Sequence, residues 1–136
     1  MSKLIAGIDP GEKTGLAIWD CSEQQFKAIN TVGIIAAQEI LRVFYKNYDL
    51  QKIYFEDARQ GGGKADSKRL QGVGSVKRDS AIWQEFCEYY HIPHAALKPD
   101  KNLTKWPEEY FKKITGWTGR TSQHARDAAV LVFAMK

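Results

Sequence analysis

The sequence predicts an α/β fold, and three observations support this prediction. Short β-prone apolar runs alternate with stretches of helical periodicity along 136 residues. Two of those runs end in an acidic residue, Asp9 and Glu56. A hydrophobic content of 43% is typical of a folded protein and excludes a largely disordered chain. The length suits a single compact domain, which we expect to span residues 1–136.

The first part of the chain predicts an antiparallel meander followed by a helix. The expected strands are residues 4–8, 15–19 and 26–32. Asp9 stands at the end of the first strand, where an Asp-Pro-Gly sequence indicates a turn. Residues 36–48 then change to helical spacing, with apolar positions at Ile40, Leu41, Phe44 and Tyr48.

The second part predicts two more strands and three helices. Residues 53–55 form a β-prone run that ends in Glu56, and a strand that follows a helix usually lies parallel to an earlier strand. The fifth strand is expected at residues 94–97. The first of the three helices is expected to begin with Asp79 or Ser80 as its cap, and the others are expected at residues 106–114 and 122–135. Residues 57–77 are expected to form an irregular segment.

That irregular segment carries much of the positive charge. The formal net charge is +4 and the isoelectric point is about 9.0. Between Arg59 and Arg78, the chain has one acid, Asp66, and six cations: Arg59, Lys64, Lys68, Arg69, Lys77 and Arg78. The cluster is either a solvated loop or an arm that binds the phosphate backbone of a nucleic acid, and we predict the second.

The cysteines and the hydropathy predict a location in the cytoplasm. Cys21 and Cys87 form neither a metal-binding pattern nor a disulfide framework, so they indicate structural thiols in a reducing compartment. No stretch approaches the roughly 20 apolar residues that span a bilayer, and the chain opens without a signal peptide. We expect no membrane association.

The two strand-end acids predict a cation site. Ligands of sheets with parallel strands bind at the carboxyl ends of those strands, where Asp9 and Glu56 are expected. Two neighbouring carboxylates repel each other unless a cation joins them or one takes up a proton. Magnesium prefers carboxylate and water oxygens, with phosphate supplying further ligands.

The last helix adds two candidates, His124 and Asp127, which lie three residues apart and therefore on one helical face. Each has a structural alternative, since a carboxylate in the first turns is favoured by the helix dipole and the histidine could simply be exposed.

Lys98, at the end of the fifth strand, would either stabilise a scissile phosphate or remain solvated. Asp57 is a reserve candidate that points away from Glu56 by strand alternation.

Taken in order, the sequences GIDPG at 7–11, YFED at 54–57 and HARDAA at 124–129 resemble the RuvC family of Holliday-junction resolvases along the whole chain. The resemblance implies the RNase H-like fold, a five-stranded mixed sheet with helices on both faces. It also implies two divalent ions, Mg²⁺ or Mn²⁺, which activate water and stabilise the departing oxygen. Asp9 would bridge the ions, Glu56 and Asp127 would complete their shells, and His124 would bind one ion or orient the attacking water.

The implied function is a crossover-junction endodeoxyribonuclease of DNA recombination and repair. Its partners would be branched DNA and a second copy of the chain, since paired cuts in a two-fold symmetric junction need two sites. Two alternatives remain: a non-catalytic nucleic-acid-binding module, or a nuclease for flaps or RNA. A nucleotide cofactor is not expected, because the ATPases on this fold need a second lobe for which the chain has no room.

Overall fold

The structure is a computed structural model that describes the backbone of residues 2–60, 67–100 and 105–136, with all their side chains except those of residues 67–73. The strands are β1 (Leu4–Asp9), β2 (Lys13–Asp20), β3 (Gln25–Gly33), β4 (Leu50–Glu56) and β5 (His94–Leu97). The helices are α1 (Ile34–Asn47), α2 (Ser67–Tyr89), α3 (Glu108–Thr115) and α4 (Gln123–Val130), and a 3₁₀ turn covers Ala58–Gln60.

The strands form a five-stranded mixed sheet in the order β3-β2-β1-β4-β5. The first three strands pair antiparallel, whereas β4 and β5 run parallel to β1. The predicted meander and the predicted parallel fourth strand are therefore confirmed. The first strand of the chain becomes the centre of the sheet, so its end is accessible to groups from several elements.

Helices cover both faces of the sheet, as expected, because strand side chains alternate between two apolar surfaces. On one face, α1 and α2 pack against the sheet through Leu41, Trp83 and Phe86. On the other face, Phe111 of α3 and the alanines of α4 pack against Trp19 and neighbouring residues of β1, β2 and β3. The sheet is thus the middle layer of a three-layer α/β fold.

Two glycines let α4 approach the sheet closely. A Cβ atom added at Gly7 of β1 would overlap the carbonyl oxygen of Ala128, and one added at Gly15 of β2 would overlap the carbonyl oxygen of His124. Only hydrogen fits between the helix backbone and the strands at these positions. The start of α4 therefore lies directly over the end of β1, since Gly15 is the register partner of Asp9.

Two elements differ from the sequence-based prediction. Helix α2 begins at Ser67, so the expectation of irregular structure up to residue 77 was wrong for residues 67–77. The first turns of α2 carry no continuous apolar stripe, and residues 74–78 are exposed, so the periodic signal appears only where the helix reaches the core.

None of the described helices combines the length and apolar character needed to cross a membrane.

Helix α4 ends at Val130 rather than continuing to residue 135. The apolar residues beyond it form turns, and Ala134 adopts a left-handed backbone conformation with φ 62°. Tertiary contacts favour this ending, because the carbonyl oxygen of Met135 accepts hydrogen bonds from Trp19 Nε1 (2.9 Å) and Gln24 Nε2 (2.8 Å). Helix α3 starts at Glu108 rather than at residue 106, with Pro107 as its N-cap.

Candidate active site

Asp9 and Glu56 lie side by side at the carboxyl ends of β1 and β4. The two strands are parallel neighbours, and Ile8 pairs with Phe55, so the acids that follow these residues are adjacent at the same edge of the sheet. Both are half-buried, and the Asp9 side chain is only 16% exposed. The structure thus brings together the two strand-end acids, as the parallel pairing predicts.

Helix α4 places His124 and Asp127 over the same edge. Its start is defined by Ser122, whose Oγ accepts a hydrogen bond from Ala125 N at 3.1 Å and contacts the hydroxyl of Thr31 on β3. A serine at this position satisfies a backbone N–H that the first helical turn leaves without a partner. This cap and the close contact at Gly15 together determine where His124 lies.

His124 contacts Asp9 directly. The ring Nδ1 lies 3.0 Å from Asp9 Oδ2, and the histidine side chain is 51% exposed. An ionised carboxylate only accepts hydrogen bonds, so Nδ1 is the nitrogen that carries the proton in this contact. The other ring nitrogen, Nε2, is then an acceptor on an exposed ring.

The carboxylates of Asp9 and Glu56 have raised pKa values. Burial raises the pKa of Asp9 to about 6, against the lowering effect of the His124 hydrogen bond, and the charge of Asp127 raises it further. Burial also raises the pKa of Glu56 to about 7, with contributions from the charges of Asp9 and Asp127. This pattern is typical of a carboxylate cluster that is poorly stabilised without a cation.

The donor set suits divalent ions, although it is not arranged as a closed metal site. Carboxylate oxygens with an imidazole nitrogen are ligands that Mg²⁺ and Mn²⁺ accept. Among the residues that the structure describes, no three His, Cys, Asp or Glu side chains lie close enough to hold one ion together. Binding would therefore require Asp9, Glu56 and Asp127 to move towards the ion. The positive charge of the bound ion would offset the repulsion between the three carboxylates.

The carboxylate of Asp127 has neighbours that the sequence did not reveal. Its Oδ1 accepts hydrogen bonds from the backbone N–H of Lys105 (3.0 Å) and from Gln123 Nε2 (2.9 Å). Behind Gln123 lies Arg126, which is buried although it carries a charge. The spacing of Gln123 and Asp127 by four residues could have indicated their contact, whereas no sequence signal marks Arg126 as buried.

The other candidates of the sheet edge differ in their surroundings. Lys98 directly follows β5 and is exposed. Asp57 is buried, and Arg59 holds it with two hydrogen bonds, from Nε to Oδ1 at 2.8 Å and from Nη2 to Oδ2 at 2.9 Å. These bonds keep the pKa of the Asp57 carboxyl below its usual value. The Asp57–Arg59 pair therefore stabilises the chain just beyond β4.

The predicted nucleic-acid-binding residues whose backbone the structure describes lie in the 3₁₀ turn and α2. Arg59 also donates to Gln84 at 3.1 Å, so most of the hydrogen bonds of its guanidinium are made within the chain. Lys77 and Arg78 are exposed on α2. Lys68 and Arg69 belong to the same helix, but their side chains, like the whole of Lys64, lie outside the described residues.

No protein-family model matches this chain, and no curated protein matches it in sequence. Among solved structures, it is similar to T. thermophilus RuvC in complex with a Holliday junction substrate, with a TM-score of 0.62 and 15% identity over 97% of this chain and 91% of that chain. Another similar structure is Thermus thermophilus RuvC, with a TM-score of 0.55 and 16% identity over 93% and 91% of the two chains. The chain therefore has the RuvC-like, RNase H-like fold that its sequence predicts.

Proposed function

We propose that this chain is a divalent-metal-dependent endonuclease that cleaves branched DNA and resolves four-way junctions. The observation that supports the proposal is the meeting of three carboxylates and one histidine, from distant parts of the sequence, at the carboxyl edge of β1 and β4. The similarity of the fold to a RuvC bound to a Holliday junction substrate adds the substrate class. The cytoplasm is the proposed location.

In this proposal, Asp9, Glu56 and Asp127 would hold two Mg²⁺ or Mn²⁺ ions. Bound divalent ions supply a water nucleophile at neutral pH and stabilise the charge that develops on the leaving oxygen. The raised pKa values of Asp9 and Glu56 support this role, because a cation at the cluster would offset both the burial of these carboxylates, which raises the pKa values most, and their mutual repulsion.

His124 would orient the attacking water. Asp9 accepts the Nδ1 proton, and this contact leaves Nε2 as the nitrogen that accepts a proton from water. Lys98 would neutralise the scissile phosphate from the end of β5. Because the water would lose its acceptor, we expect His124→Ala to cleave the junction more slowly, and cleavage at the wild-type rate would exclude this role for His124.

The proposal is tested by incubating the protein with labelled four-way junction, flap and linear duplex DNA, each with Mg²⁺ and with EDTA. We expect paired cuts in the junction that require Mg²⁺ and that the Asp9→Asn and Asp127→Asn variants do not make. Equal cutting with EDTA would refute metal catalysis, and cutting of flaps alone would refute the resolvase assignment. Binding of junctions without cleavage by the wild-type protein would identify a non-catalytic module.

We also propose that the active form is a homodimer. A four-way junction presents two equivalent scissile phosphates, so two sites related by a two-fold axis match its symmetry. Multi-angle light scattering of the free protein and of its junction complex measures this directly. A complex with one protein chain per junction would contradict the dimer.

A further inference from the structure

Asp127 is held from one side by a small network that begins at Gln123. The two residues are separated by one turn of α4, and Gln123 is half-buried. Its Nε2 donates to Asp127 Oδ1 at 2.9 Å, and its Oε1 accepts from Arg126 Nη2 at 3.2 Å. Because arginine only donates and a carboxylate only accepts, the side-chain amide has one orientation that satisfies both neighbours.

Arg126 holds this amide and the surrounding loops together. Its Nε donates to the carbonyl oxygen of Trp106 at 2.8 Å, and its Nη1 donates to the carbonyl oxygen and the hydroxyl of Thr121, at 2.7 and 2.9 Å. The side chain is therefore satisfied although the residue is only 9% exposed. A buried guanidinium with a fixed set of acceptors is a rigid support for the groups that it contacts.

The same network also supports the second hydrogen-bond donor to Asp127, the backbone N–H of Lys105. Lys105 has a left-handed backbone conformation, with φ 62°, and its N–H points to Asp127 Oδ1 at 3.0 Å. Such a conformation is strained for a residue other than glycine and persists only where neighbouring contacts determine it. Here the next residue, Trp106, is anchored by Arg126.

We propose that Gln123 and Arg126 are positioning residues that fix the rotamer of Asp127, so that one carboxylate oxygen is bound by the protein and the other is available to a divalent ion. Among the described residues, both hydrogen bonds to this carboxylate fall on Oδ1, and Oδ2 remains for the ion. The inference rests on the proposed metal site. Residues that orient a metal ligand typically change metal affinity by about 10- to 100-fold when they are lost.

The test measures Mn²⁺ binding by titration calorimetry on the full chain without DNA. Gln123→Met keeps the length and helix propensity of the side chain but removes both hydrogen bonds. We expect its dissociation constant for Mn²⁺ to rise at least about tenfold, with a thermal midpoint close to that of the wild type. Gln38→Met, at a half-buried glutamine of α1 on the other face of the sheet, is the matched control and should bind Mn²⁺ as the wild type does.

Arg126→Lys tests the second positioning residue, since a single amine does not reach all the acceptors of the guanidinium. We expect weaker Mn²⁺ binding together with a lower thermal midpoint. Mn²⁺ affinity within twofold of the wild type in Gln123→Met and Arg126→Lys, with loss of binding in Asp127→Asn, would overturn the inference alone. Absence of Mn²⁺ binding in the wild type would overturn the metal site and thus the proposed function.

Discussion

At the scale of single residues, Gly15 determines how closely α4 lies on the sheet. We expect Gly15→Ala to destabilise the protein by about 1 to 3 kcal/mol, because the new methyl group overlaps the carbonyl oxygen of His124 and the helix must shift. DNA cleavage should be lost as well, since the shift moves His124 away from Asp9. Denaturant unfolding and junction cleavage measure the two effects.

Gly33→Ala is the control for that substitution, because an added Cβ at Gly33 meets no atom within 4 Å. It should change the free energy of unfolding far less. If the two alanine variants were equally stable, the close approach of α4 would not be a constraint on residue 15.

Glu56 provides a second test, on the pH dependence of stability without divalent ions. Because folding raises the pKa of this carboxyl to about 7, the folded state binds its proton more tightly, and stability falls as the pH rises from about 4.5 to 7. Glu56→Gln removes this loss. In EDTA at pH 8, we expect the variant to be more stable than the wild type by about 1 to 2 kcal/mol, a value reduced for the partial exposure of the side chain.

At pH 4 the advantage of Glu56→Gln should largely disappear, because the wild-type carboxyl is then protonated in both states. The exposed Glu85 of α2 serves as the control, and Glu85→Gln should show no such dependence on pH. An advantage of Glu56→Gln that is independent of pH would indicate a packing effect instead of relief from a buried charge.

The residues of the site differ in how well the sequence predicted them. Asp9 and Glu56 were predicted because they interrupt apolar runs at strand ends, where a charge is costly unless it has a function. Gln123 and Arg126 were missed, because polar residues near the start of a helix usually face solvent. Their burial depends on the loop at Lys105 and Trp106, which is close only in the folded state.

At the scale of elements, α2 consists of a core part and an exposed basic part. Trp83 and Phe86 pack against the sheet, whereas residues 74–78 are exposed and include Lys77 and Arg78. The sequence predicted the core part from its apolar spacing. It did not predict the helical start, because an exposed polar helix carries no periodic apolar signal.

We expect the double variant Lys77→Ala/Arg78→Ala to bind four-way junctions more weakly at low salt. Each lost phosphate contact should reduce the slope of log K against log salt by about 0.9. Fluorescence anisotropy over a salt series, in an Asp9→Asn background that prevents cleavage, measures this. Lys3→Ala/Lys52→Ala removes the same charge and should leave the slope nearly unchanged, because Lys3 precedes β1 and Lys52 lies near the start of β4, away from the strand ends that carry Asp9 and Glu56.

At the scale of the whole molecule, a cation should link the site to global stability. The carboxylates come from β1, β4 and α4, so they are close together only in the folded chain, and an ion bound to them favours folding by mass action. We expect Mn²⁺ at about 100 times its dissociation constant to raise the thermal midpoint by on the order of 10 °C.

Asp127→Asn should lose most of this thermal shift, and potassium chloride at the same ionic strength should not produce it in the wild type. An equal shift in the Asp127→Asn protein would place the stabilising ion elsewhere on the molecule. The measurement needs no DNA, so it examines the metal site independently of the substrate.

The position of α4 in the chain also has a consequence for synthesis. This helix supplies His124 and Asp127 and covers the apolar face of the sheet, yet it is made after every strand is complete. A nascent polypeptide that stops before residue 123 would carry two acids without their partners. Such a fragment would lack half of the residues of the proposed metal site, so premature termination would yield a product without the proposed activity.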